Sequence, residues 1–183
     1  MNKTAIYLLI ALTTTACSRE PVDAQNKPSE LNVEFNGAQF LHRWSENNQH
    51  EFTPKSQEDL SAWEDMLTIN VYPSITDGEG LAVMANQVLG SYQSTKAMVL
   101  KTDSVPRTKS KPAEHSMVVL FPRPEFIEAA FTRLIIIDGV GASIVYSHRI
   151  YGNKIGNEMS DWLKNNGSII EELLMQLEIP FTL

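Results

Sequence analysis

The dipeptide Asp138-Gly139 stands between two apolar stretches, Phe131 to Ile137 and Val140 to Tyr151, and nothing else in the sequence restricts the fold as tightly. A type I′ turn needs φ > 0 at both central residues, a conformation that Asp-Gly and Asn-Gly adopt at little cost. The predicted unit is an antiparallel hairpin with long, β-branched arms, and such arms need a sheet to join and helices to cover them. Period two splits the second arm into two faces. Val140, Ala142, Ile144, Tyr146, His148 and Ile150 lie on one; Gly141, Ser143, Val145, Ser147, Arg149 and Tyr151 lie on the other.

The rest of the chain supplies what that hairpin requires. Leu31, Val33 and Phe35 alternate with polar residues, Asn36-Gly37 is a second I′ turn signal, and Ala38 to Trp44 returns. Thr53-Pro54 reads as an N-cap followed by proline at the first helical position, which predicts a short helix toward Trp63. Leu67, Ile69 and Val71 mark a strand that stops at Pro73. Leu81, Met84, Ala85, Val88, Leu89 and Tyr92 recur at helical spacing between Glu79 and Tyr92. Ala97 to Leu100 and Ser116 to Phe121 read as strands on either side of a loop carrying Arg107, Lys109 and Lys111, and Glu125 to Ala130 is open to a helical reading. At the C-terminus Met159, Trp162, Leu163, Ile170, Leu173, Leu174 and Leu177 form a helical stripe. Gly167 interrupts it, and Ser168 with Glu171 has the form of a capping box that could restart a second helix, so either a kinked helix or two short ones would cover the sheet.

The N-terminus reads differently. Lys3, the apolar run Ala5 to Leu12 and small residues before Cys17 make a secretory signal over residues 1–16, with a run far short of the ~20 residues a spanning helix needs. Thr14-Thr15-Ala16-Cys17 resembles the lipobox of bacterial lipoproteins, with Thr14 where leucine is usual. The resemblance implies cleavage before Cys17, acylation of that cysteine (palmitate among the chains) and, from Ser18 at the next position, an outer-membrane address facing the periplasm. Cys17 is the only cysteine, so no internal disulfide competes for it. Residues 17–30 then form the lipidated cysteine and a polar linker with two prolines. Residues 31–183 form one domain, long enough to bury a core without metal or disulfide staples.

The order of elements over residues 31 to 178 (hairpin, short helix, strand, long helix, four strand segments, terminal helix) resembles the PsbP and Mog1 type of α/β/α sandwich. The fold class expected is α/β in its α+β form: a single, largely antiparallel sheet flanked by helices. The resemblance implies a domain that is mostly non-enzymatic and that docks on or assists other proteins, as its members in bacterial envelope lipoproteins would.

Composition narrows the function classes. The formal net charge of −7, or −8 once Lys3 is removed with the signal, opposes nucleic-acid binding. Gly139-Val140-Gly141 is not a nucleotide loop, because a strand rather than a helix follows it. The histidines at 42, 50, 115 and 148 show no paired ligand spacing, so no metal or other cofactor is expected. Carboxylate pairs such as Glu64-Asp65 read as solvated helix faces. The basic loop is an ordinary solvated loop or, near a membrane, a contact for anionic headgroups.

Two site readings remain. His148 falls on the apolar face, where it is either a hydrogen-bonded histidine at the sheet–helix seam or a ligand or pH-sensing group. Arg149 with Ser147 and Tyr151 lies on the polar face, where it is either a solvated arginine on a half-exposed sheet or a guanidinium fork beside hydroxyls that suits a carboxylate or phosphate. His42-Arg43 repeats the dipeptide beside Trp44, and adjacency of the first and last strands would join Arg43, Trp44, Arg149 and Tyr151 into one patch. The leading expectation is a lipid-anchored, non-enzymatic domain that binds another envelope protein or a small ligand. The alternatives are an immunity or inhibitor lipoprotein that neutralises a toxin or lytic enzyme in the periplasm, and an envelope hydrolase with His148 or His115 as base.

Overall fold

The computed structural model describes residues 31–153 and 155–180. The signal segment, Cys17 and the linker to residue 30 lie outside the described residues. Eight strands form one sheet: β1 Asn32–Phe35, β2 Ala38–Glu46, β3 Gln49–Pro54, β4 Asp65–Tyr72, β5 Met98–Val105, β6 Glu114–Pro122, β7 Phe126–Ile137 and β8 Val140–Tyr151. Their spatial order is β1-β2-β3-β4-β8-β7-β6-β5 and every neighbouring pair is antiparallel. Helices α1 (Gly78–Ser94) and α2 (Gly156–Gln176) cover opposite faces, so the α+β expectation of one antiparallel sheet flanked by helices holds.

The central hairpin is the one that Asp138-Gly139 dictates. Both residues have positive φ, 51° and 84°, and β7 pairs with β8 from Ile137↔Val140 to Phe126↔Tyr151. Its alternation feeds two cores. Phe131, Ile144 and Tyr146 pack with Phe35, Phe40, Phe52, Leu67 and Ile69 under Met159, Ile170 and Leu174 of α2. Leu134 and Met117 face the other way, under Leu81, Met84 and Ala85 of α1. Burying one such side chain contributes about 1.5–3 kcal/mol, which is why both arms of this hairpin need helices on them.

Gly141 is required by a close approach: its N–H donates to the Ile75 carbonyl at 2.6 Å, and a Cβ there would lie 2.8 Å from Cβ of Ile75. The connection from β4 to α1 crosses the sheet at this point.

Three local expectations are corrected, and one unpredicted turn appears. Thr53-Pro54 does not open a helix; these residues end β3, with Pro54 opposite Phe40, and 55–64 is a turn-rich connection. Thr53 uses its hydroxyl on the Gln57 carbonyl, closing a turn rather than capping a helix. The unpredicted feature precedes it: Asn47 and Asn48, at φ 49° and 65°, form a two-residue turn between β2 and β3. Glu125 to Ala130 is not helical but runs into β7, where the β6 and β8 ladders satisfy its backbone from both sides. Finally, α2 runs unbroken through Gly167, and Glu171 reaches to Lys101 on β5 instead of capping a restarted helix.

Candidate functional site

β8 carries His148 and Tyr146 on the α2 face, and β4 begins with Asp65 directly opposite His148 in the ladder. The Asp65 carboxylate accepts hydrogen bonds at one oxygen from the Tyr146 hydroxyl (2.7 Å) and from His148 Nδ1 (2.8 Å). Its other oxygen accepts from Gln57 Nε2 at 3.2 Å, and Gln57 in turn receives the backbone N–H groups of Glu64 and Asp65. The His148 ring lies flat on Trp162 of α2, with centroids 4.0 Å apart and planes 6° from parallel. Carboxylate and indole thus fix the ring's position and tautomer, leaving Nε2 as its second functional nitrogen.

Burial pushes the Asp65 carboxyl upward, but the hydrogen bonds from His148 and Tyr146, the charge of His148 and the Gln57 contact outweigh it and hold the group below its ordinary range. Burial, with the adjacent Asp65 charge and hydrogen bond, raises Tyr146 well above the usual phenol range. Tyr146 is therefore a fixed neutral donor and Asp65 a fixed carboxylate.

These groups line a small cavity of about 200 Å³ with Phe35, Phe40, Asn36 and Asn166. Among the described residues no serine, threonine or cysteine side chain lines it, so the described lining offers a positioned imidazole without an adjacent hydroxyl or thiol nucleophile. His115, the other proposed base, has Nδ1 on Ser104 at 2.8 Å and an Nε2 that is buried without a hydrogen-bond partner among the described residues. Among the described residues no group of three or more His, Cys, Asp or Glu side chains could hold a metal ion. His42 and His50 do meet across β2 and β3, each hydrogen-bonded to the Ser45 hydroxyl, and burial followed by the His42 charge lowers the His50 pKa.

The two arginines do not meet. β3 and β4 lie between β2 and β8, a separation of about 14 Å at ~4.8 Å per strand, so the expected adjacency of first and last strands is corrected. Each fork is occupied within the fold. Arg149 Nε donates to Glu128 at 2.8 Å, while its guanidinium sits 3.6 Å from the Trp63 ring centroid and 4.3 Å from that of Phe126. Tyr151 donates its hydroxyl to the Trp63 carbonyl at 2.8 Å. Arg43 donates to the Thr53 hydroxyl (2.9 Å) and to the carbonyls of Pro54 (3.1 Å) and Lys55 (3.4 Å). Arg43 and the Arg149–Tyr151 pair therefore brace opposite ends of the same 55–64 segment, and Trp44 is exposed on β2.

Asp65 is the residue that sequence reasoning missed. Beside Glu64 it has the look of a solvated pair, but starting the strand two residues earlier and keeping its period places Asp65 on the face of Leu67 and Ile69. The identity of its partner came from the register of β4 on β8, which no local pattern carries.

Among the described residues β5 is an edge strand, hydrogen-bonded only to β6, and all eight of its residues are exposed. Met98, Leu100 and Val105 are each 50% exposed and Val99 is 37% exposed.

No protein-family profile matches this chain, and no curated protein does. Among solved structures it is similar to a mutant of protein Mog1, at 12% sequence identity and a TM-score of 0.48, over 85% of this chain and 98% of that one. That likeness assigns no ligand, partner or activity.

Proposed function

We propose that the chain is a bacterial envelope lipoprotein, held through an acylated Cys17 at the outer membrane and facing the periplasm, whose single domain is a non-enzymatic docking module for an extended segment of another envelope protein. The anchor rests on the signal-like residues 1–16 and the Thr14-Thr15-Ala16-Cys17 sequence. The docking role rests on β5: a free strand edge offers alternate N–H and C=O groups to an added strand, and exposed aliphatic side chains beside them supply burial. The non-enzymatic reading is supported by the described lining of the cavity, in which the His148–Asp65 pair stands beside no serine, threonine or cysteine.

The experiment is a photo-crosslinking scan in intact envelopes. A crosslinker replacing Leu100 on β5 is expected to give one discrete adduct, whereas one replacing Val83, exposed on α1, gives none. In a Cys17→Ser background the protein leaves the membrane fraction and the adduct is lost or sharply reduced. Equal labelling from positions 83 and 100 removes the docking role, and membrane retention of Cys17→Ser removes the anchor. Should the adduct be a lytic enzyme or toxin whose activity falls on mixing, the docking module is of the immunity type.

A further inference from the structure

We infer that the segment docking on β5 is acidic, an extended strand carrying Asp or Glu at alternate positions; this rests on the docking role of β5 proposed above. The observation is a local inversion of charge. Residues 96–111, which contain β5 and the loop that leaves it, hold five cations (Lys96, Lys101, Arg107, Lys109 and Lys111) against one carboxylate, Asp103. The remaining residues hold ten cations against twenty-one carboxylates. An acidic segment is thus repelled by most of this molecule and attracted along one edge of it, so the charge distribution selects the site as well as the partner.

The edge is only partly guarded. Sheets commonly block a free edge with a bulge or an outward lysine. β5 has a register shift between Val99 and Lys101, yet Lys101 is drawn onto α2, where its ammonium meets Glu171, and so does not stand over the edge. Arg107, Lys109 and Lys111 follow directly on the strand's end and make no ion pair among the described residues, while Asp77 and Glu79 at the start of α1 line the same cavity and offset part of their charge. Apolar side chains lie on both faces of β5: Met98 pairs with Leu120 on the α2 side, and Val99 pairs with Val119 on the α1 side. An incoming strand of alternating aliphatic and acidic residues would find main-chain partners along the edge, aliphatic contacts near Met98 and Leu100, and cations at the Arg107 end.

The test uses the full chain in detergent and two synthetic ten-residue peptides, one alternating valine with glutamate and one alternating valine with lysine. Amide resonances of Met98–Val105 report where each binds, and titrations report how tightly. The acidic peptide is expected to shift β5 resonances, to bind at least tenfold more tightly than the basic one, and to weaken on the order of tenfold as salt rises from ~50 to ~500 mM. In a Lys109→Glu/Lys111→Glu variant, whose changes lie in an exposed loop, that preference should vanish while the thermal melt is unchanged. If both peptides shift β5 with equal affinity, docking stands and the acidic partner is overturned. If neither shifts β5, the docking role itself is lost.

Discussion

Arg133 is the residue whose neighbours most reward inspection, because it is an arginine in the middle of an apolar strand. On β7 it falls on the α2 face, 6% exposed, where Nη1 donates to the carbonyls of Leu174 (3.1 Å) and Leu177 (2.8 Å) and Nε donates to Glu114 (2.8 Å). The last carbonyls of a helix have no partners within it and carry partial negative charge, so a buried guanidinium there closes the C-terminal end of α2. Arg133→Met would strand Glu114 and the Leu177 carbonyl, while the Leu174 carbonyl keeps the Leu177 N–H, at a cost of about 3–5 kcal/mol in chemical denaturation. Arg133→Met combined with Glu114→Leu should recover most of that loss, since no unpaired charge is left behind. A single-variant loss under about 1 kcal/mol would mean that the pair behaves as a surface ion pair. Of the site residues, His148 and Arg149 were legible as opposite-facing neighbours from period two alone, because the strand alternates locally. What each one touches was not, because Asp65, Trp162 and Trp63 come from three separate places in the chain.

At the scale of elements, turns decided what could be read. Asn36-Gly37 and Asp138-Gly139 announce their hairpins because glycine removes the steric cost of positive φ at the second turn position. Asn47-Asn48 makes the same turn without glycine, and the strand after it, Gln-His-Glu-Phe-Thr-Pro, is too polar to look like sheet; both were missed together. The same contrast yields a prediction: Asn48→Gly relieves a non-glycine residue at φ 65° and should stabilise the protein by about 0.5 kcal/mol, seen as a higher denaturation midpoint with an unchanged m-value. A destabilisation would show that the Asn48 side chain holds something that the backbone does not need. Helix α2 teaches the converse lesson. A glycine and a capping-box sequence mark a break in a free helix, but Met159, Ile170 and Leu174 all land on one buried stripe, and that packing keeps the helix continuous.

For the whole molecule, acid stability follows from Asp65. Its carboxyl is held below the ordinary range in the folded state, so its contribution is fully present above the unfolded value near 4 and is lost as pH falls through the lower, folded value. Denaturation midpoints taken from pH ~6 downward should therefore fall more steeply below pH ~4 for the natural protein than for Asp65→Asn; parallel curves would show that the Tyr146–Asp65–His148 cluster does not couple to folding. Strand order is the other property of this scale, and it was the least legible. Sequential neighbours pair wherever a tight turn joins them, but β4 beside β8 is fixed only by long-range pairing, and that pairing is what assembles the Asp65–His148 cavity and keeps Arg43 away from Arg149.

The same strand order has a mechanical consequence. The chain enters the sheet at β1, one rim, and the exposed strand β5 is the opposite rim, with seven strand spacings between them, or about 34 Å at ~4.8 Å each. If Cys17 is acylated as proposed above, that width would add to the ~40 Å that the thirteen linker residues could reach if fully drawn out, and β5 would be the rim farthest from the point where the linker joins the sheet.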